Sequence, residues 1–386
     1  MKTHRADMKK CLYILLFLCA GLWTSCVYTP IKGYNGNSKI DAQYLDFWYR
    51  RQILPAYAGY LLQVQRLDEI AGELETHPER LEDVKRQYEA AFLALQDIVI
   101  FDQPYFVSQL YGLYAVSARF PLNKVQLEDA VRNRYPAEVL SERLERGVLS
   151  PNALGYAALD YLLFSGQVDL TAGSGRDYLS YLTASTGLLL EQARRVYAYY
   201  EKGGDDFVHN DDFSVGGSLN VVLNTLMSNF EANVRTAKVG IPVGIYGISV
   251  HEPEPLTVEA YYHGEGLSTR LLARAVQAFQ YFYDGYPYGE SSVRKEELSF
   301  SAMLGEYLPP AKKDEIRRRL EQVFAALRSE LDNENTDLAG LAGSKDGVEK
   351  LKRIYAELQK VVGILKTDVV AALGLTVTYS DGEEGD

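Results

Sequence analysis

From Ser38 to Leu373 the apolar residues of this chain recur every three or four positions in one segment after another, and almost nowhere do they alternate. A period near 3.6 is what a helix with one buried face imposes, whereas alternation is what a half-buried strand imposes. Tyr44, Trp48, Ile53, Leu54, Tyr57, Leu61, Leu62 and Leu67 make such a stripe, as do Val84, Tyr88, Ala91, Phe92 and Leu95. Later stripes run from about Asp177 to Lys202, Asp212 to Lys238, Ser268 to Tyr283, Lys312 to Leu331 and Val348 to Leu373. The only alternating run, Leu375 to Tyr379, is short and terminal. The chain is therefore predicted to be all-α, and 47% hydrophobic residues in 386 are enough for a large core.

Punctuation divides the stripes. Ser38 can cap the first helix, Pro55 predicts a kink in it, and Pro78, Pro104 and Pro121 restart the chain. Gly203-Gly204-Asp205-Asp206 is the strongest boundary signal, giving an N-terminal helical bundle over 40–204 and a C-terminal one over 205–386. Each half supplies about four long helices, which suits two packed bundles.

The first residues follow different rules. Lys9 and Lys10 precede an apolar run from Cys11 to Trp23. A bilayer span wants about 20 apolar residues, so this run predicts a signal peptide over 1–25 in preference to a transmembrane anchor. Leu22-Trp23-Thr24-Ser25-Cys26 resembles a bacterial lipoprotein cleavage box, with Cys26 the lipidated residue and 26–39, rich in Gly, Asn, Pro and Ser, a tether. All three cysteines lie in this region, which leaves the folded part without disulfides or thiol chemistry. The expected location is the bacterial cell envelope, anchored to a membrane through lipid and facing the periplasm or the exterior.

Charge and motif content exclude several function classes. A net charge of −12 and the lack of a long Lys/Arg block argue against nucleic acid as a partner. No His-Glu-x-x-His and no Gly-x-Ser-x-Gly occurs, so neither the usual zinc-protease helix nor a serine elbow is present. His251, Glu252, His263 and Glu265 could meet at a metal, but loop positions with no fixed spacing are expected to be exposed.

One short helix stands out. Gly155-Tyr156-Ala157-Ala158-Leu159-Asp160-Tyr161-Leu162-Leu163-Phe164 ends before Gly166 and carries an acid, Asp160, beside the small Ala157 on one face. A buried carboxylate needs a partner or water. This stretch resembles the signature of the imelysin family, Gly-x-His-x-x-Glu followed by an apolar helical continuation. Ile53-Leu54-Pro55-Ala56-Tyr57, Lys238-Val239-Gly240-Ile241-Pro242-Val243-Gly244, Glu259-Ala260-Tyr261-Tyr262-His263-Gly264 and the ending from Ala372 to Gly382 are similar to other family motifs, in order.

The resemblance implies two packed helical bundles in an envelope-associated bacterial protein. It further implies a link to iron uptake, a place among metallopeptidases and a site near the interface between the bundles. In this chain the family's His is Ala157, with no lone pair, and its Glu is Asp160, one methylene shorter. The motif Gly155, Ala157 and Asp160 is thus degenerate, and no catalytic residue is assigned. Tyr156, Asp160, Glu259 and Tyr261 are the candidates to line a ligand site, with Asp160 the candidate metal ligand. Carboxylate and phenolate oxygens favour iron over zinc, and an open zinc site normally wants three protein ligands. A binding lipoprotein for iron, an iron-linked ligand, a peptide or a glycan is the leading expectation, with envelope transport proteins as partners. A metal-dependent peptidase and a helical scaffold for membrane partners are the alternatives.

Overall fold

The computed structural model describes residues 39–102, 112–246, 249–331 and 336–378. The signal peptide, Cys26, the tether as far as residue 38 and Tyr379 lie outside them. The described residues form fifteen α-helices. The first half holds α1 (Ala42–Phe47), α2 (Leu54–Glu73), α3 (Leu81–Ile98), α4 (Leu113–Ser117), α5 (Lys124–Arg132), α6 (Ala137–Glu145), α7 (Gly155–Phe164) and α8 (Arg176–His209). The second half adds α9 (Ser218–Asn229), α10 (Leu267–Asp284), α11 (Phe300–Tyr307), α12 (Pro310–Leu331), α13 (Leu338–Ala342), α14 (Lys345–Gly363) and α15 (Ala371–Leu373). The all-α expectation holds. The described strands are the two-residue pair Ile245–Tyr246 and Ser249–Val250, antiparallel with Ile245 opposite Val250.

In the first half α2 packs between α3 and α8, with α7 set against both α3 and α8. In the second, α14 packs on α12 and on the π-helical segment Phe230–Gly240 that continues α9. Helix α3 crosses to the second half and packs along α10. The apolar stripes read from the sequence are largely the faces buried: Val84, Tyr88, Ala91, Phe92 and Leu95 of α3 are all fully enclosed, whereas Leu62 of α2 is 45% exposed. Among the described residues no helix is long and apolar enough to cross a membrane.

Pro55 marks a change of winding. It has no N–H to give the Arg51 carbonyl four residues back. The preceding turn, Trp48–Ile53, is wound as π-helix, and the Arg51 carbonyl accepts the Tyr288 amide at 2.8 Å. A missing donor in the first helix thereby docks a loop 237 residues later, in the part of the chain that follows α10.

Three other expectations change. Helix α8 runs through Gly203 and Gly204 to His209, and Gly204 faces the Tyr49 ring, where a Cβ would lie 2.9 Å from a ring carbon. The glycine serves a close approach within a continuous helix. The stripe read from Ser268 belongs to α10, which starts one residue earlier with Gly266 as its cap, and the Ser268 hydroxyl donates to Asp337, 2.7 Å away. Residues 375–378 form no ladder with another strand among the described residues. Their backbone is held by the Asn224 amide, which donates to the Thr376 carbonyl and accepts from the Thr378 N–H at 2.9 and 2.7 Å.

The glycine pair gives a test. At Gly203 a Cβ would lie at an ordinary 3.5 Å from the Tyr49 hydroxyl. Gly203→Ala should be neutral or up to about 1 kcal/mol stabilising, because alanine is the better helix former. Gly204→Ala should lose about 1 kcal/mol or more, because Tyr49 is tied to the Tyr200 carbonyl and cannot swing away freely. Urea unfolding of both variants checks the difference, and equal responses would contradict it.

Candidate functional site

Helix α7 begins where only glycine fits. Gly155 has φ of +61°, and a Cβ there would run into the Ser117 carbonyl oxygen. That packing draws α7 down onto α4 and buries every residue from Gly155 to Leu163. Ala157 is enclosed and offers no polar atom. Tyr156 is stacked on Phe92 with ring centres 4.2 Å apart, its hydroxyl 3.4 Å from that of Tyr60.

Asp160 is completely buried. Its two carboxylate oxygens accept the backbone N–H groups of Tyr262 and His263, at 2.8 and 2.9 Å. The loop presenting those amides is turned by Ala260, at φ +53°, and by Gly264, at φ +63°, which aligns consecutive N–H groups on one acceptor. Burial pushes the Asp160 carboxyl up to about 7, against the two amides that favour the ionised form. Each oxygen accepts one amide, and of Gly155, Ala157 and Asp160 only Asp160 has a side-chain atom that could ligate a cation. Among the described residues no three or more His, Cys, Asp or Glu side chains converge to hold a metal ion. The motif therefore does not fit a metal centre as it stands: Ala157 supplies nothing, and Asp160 already clasps a loop.

The other candidates cluster beside the clasp. Glu259 is buried, accepting from the Tyr114 hydroxyl at 2.6 Å and from the Lys238 ammonium at 2.5 Å. Lys238 lies over the Tyr114 ring, 5.1 Å from its centre, and burial pulls its pKa down while Glu259 opposes that. Tyr261 is half-buried and packs edge-on against Tyr262. Asp160, Glu259 and Tyr261 are thus joined through one loop, whereas Tyr156 belongs to the aromatic core of the first half. The expectation of exposed histidines holds for His251, at the surface, and fails for His263. The His263 imidazole is 7% exposed, packed on Phe164, with Nε2 3.4 Å from Glu89. Asp160 holds the backbone of that residue, which draws its ring inward.

Lys238, Tyr114 and Glu89 were not singled out from the sequence. Lys238 precedes Glu259 by 21 positions with no shared periodicity, so only the opening of the Lys238-Val239-Gly240 motif could have flagged it.

Where the two halves meet along α3 and α10, the packing opens. Asp97 and Arg274 form a two-pronged ion pair there, Nε to Oδ1 and Nη2 to Oδ2, the latter 2.9 Å. They stand between a cavity of about 310 Å³ and a wider one of about 770 Å³, both also lined by Gln277 and Tyr288. Cavities of this size suit small-molecule ligands.

The clasp predicts an unusual pH response. A carboxyl raised from 3.8 to about 7 contributes stability below about pH 4, and that contribution is lost as the pH rises through 7. The stability of wild type relative to Asp160→Asn should therefore fall by about 2 to 3 kcal/mol between pH 5 and pH 8. Urea unfolding of both proteins at the two pH values measures it; a constant difference would contradict an acid buried in this way.

Comparison with known proteins bears on the whole chain. The family profile described as Imelysin, a peptidase family, matches residues 53–363. No curated protein gives a significant match. Among solved structures, a protein named as an iron-regulated protein A precursor from Parabacteroides distasonis superposes with a TM-score of 0.65 at 16% identity. The match covers 87% of this chain and 97% of that one. An imelysin-like protein from Psychrobacter arcticum gives 0.63, also at 16% identity, over 88% and 97% of the two chains. At such identity the likeness establishes the fold, and the profile establishes the family. The chain belongs to the imelysin family.

Proposed function

We propose that this protein is a non-catalytic lipoprotein of the bacterial cell envelope that binds an iron-linked ligand between its N-terminal and C-terminal helices. In this reading it passes the ligand to envelope transport proteins. The observation that carries the non-catalytic part is the state of the motif: Asp160 is spent on two backbone amides and Ala157 has no donor. A metal that activates water for peptide cleavage wants about three protein ligands and an open position, and neither arises there. The iron link rests on family membership and on the name of the Parabacteroides relative. The interface is favoured because that is where α3 and α10 leave open volume.

Two experiments test this. The mature protein, mixed with ferric citrate and separated by gel filtration, should retain iron and should show no chelator-sensitive cleavage of unfolded casein. Chelator-sensitive cleavage would replace the reading with the peptidase one, and loss of all iron would remove the iron link. Cys26→Ser should move the protein from the membrane fraction to the soluble fraction; unchanged membrane association would contradict the lipid anchor.

A further inference from the structure

The smaller cavity between α3 and α10 is a built feature, and its construction can be followed to single residues. Gly59 lies inside α2, where glycine costs about 1 kcal/mol relative to alanine. A Cβ at Gly59 would collide with the Tyr288 hydroxyl, so this glycine makes room for that ring. Tyr288 is itself delivered by its backbone amide on the Arg51 carbonyl, the acceptor that Pro55 leaves free. Its ring lines the cavity beside Asp97. The π-helical turn before Pro55 carries Gln52, only 5% exposed, which also lines the cavity. The Gln52 amide nitrogen donates to the carbonyls of Tyr281 and Tyr286, at 3.2 and 2.9 Å. Its Oε1 is buried and has no hydrogen-bond partner among the described residues.

These features define what could occupy the space. An orphaned buried acceptor costs about 1 to 3 kcal/mol, and a ligand bearing an O–H or N–H donor would recover it. Asp97 is matched by Arg274, so the pair is neutral overall and favours neither a bare cation nor an anion. Tyr281 and Tyr286, with ring centres 4.8 Å apart, give the wall aromatic surface. A neutral ligand with hydroxyl donors on one edge and a flat apolar face answers all three.

We propose that this cavity binds a six-membered ring carrying adjacent hydroxyl groups, its face against Tyr281 and Tyr286 and its hydroxyls directed to Gln52 Oε1 and the Asp97 carboxylate. A pyranose sugar and a catechol share this chemistry. The proposal rests on the reading of the protein as a binding protein, and it assigns the ligand class independently of iron.

The test uses the mature protein with two sets of probes: a panel of neutral mono- and oligosaccharides, and catechol, each free of iron. Saturation-transfer NMR and calorimetry should show saturable binding to a member of one set, which identifies the source. Gln52→Leu should weaken that binding at least tenfold, and Tyr286→Ala should weaken it too, with both variants keeping the wild-type circular-dichroism spectrum. Should Gln52→Leu fail to fold, Tyr286→Ala alone decides. No saturable binding by either set, or binding that these substitutions leave within twofold of wild type, would overturn the proposal. Iron retention without ring binding would sink this inference and leave the iron-linked reading standing; ring binding without iron would do the reverse.

Discussion

A buried acid with no cationic side chain as partner among the described residues governs this structure. Asp160 lies on a helix of the first half, and the groups that satisfy it are backbone amides of the second. Removing an ionised carboxylate from water costs several kcal/mol, and hydrogen bonds from two aligned N–H groups return part of that. Burial holds its pKa near neutrality in spite of them, so the clasp combines hydrogen bonding with an acid that is reluctant to ionise. The strained turn at Ala260 persists because both ends of the loop are fixed, one by Asp160 and the other by Glu259 on Lys238 and Tyr114.

Further polar links join the two halves. The Arg51 carbonyl, deprived of a helical donor by Pro55, takes the Tyr288 amide. Asp97 takes Arg274 across the α3–α10 seam, and Glu89 takes Arg270 one turn away. The Asn229 amide reaches the Asp102 carbonyl, while the buried Asp102 carboxyl, pushed up to about 6, caps the amides of Leu113 and Tyr114. Apolar packing supplies the bulk of the cohesion, and these links set the register in which the helices meet.

The helices were legible in the sequence because each buries one face, and a buried face writes its period directly. What escaped was anything decided by a residue far away in the chain. Gly203 and Gly204 look like a boundary until Tyr49 is seen against them. Pro55 looks like a kink until the Arg51 carbonyl is followed to Tyr288. Likewise, the degenerate motif announced that Ala157 leaves a gap in a metal site, but not that Asp160 would turn its oxygens to the Tyr262 and His263 amides. His263, an ordinary loop residue by spacing, is buried for that reason. The Lys238–Glu259 pair has no periodic signal, since its partners sit on a π-helical segment and a turn. Gly155 was the opposite case: a helix-opening glycine in a family-like motif, explained in full by the Ser117 carbonyl beside it.

The central claim is that Asp160 holds a loop and does not hold a metal. Amide hydrogen exchange of the protein reports on it directly, by following Tyr262 and His263 with and without excess ferric iron or zinc. The account predicts that both amides are strongly protected in the metal-free protein and that neither metal changes their protection. Rapid exchange without metal, or protection that appears or disappears when metal is added, would contradict it.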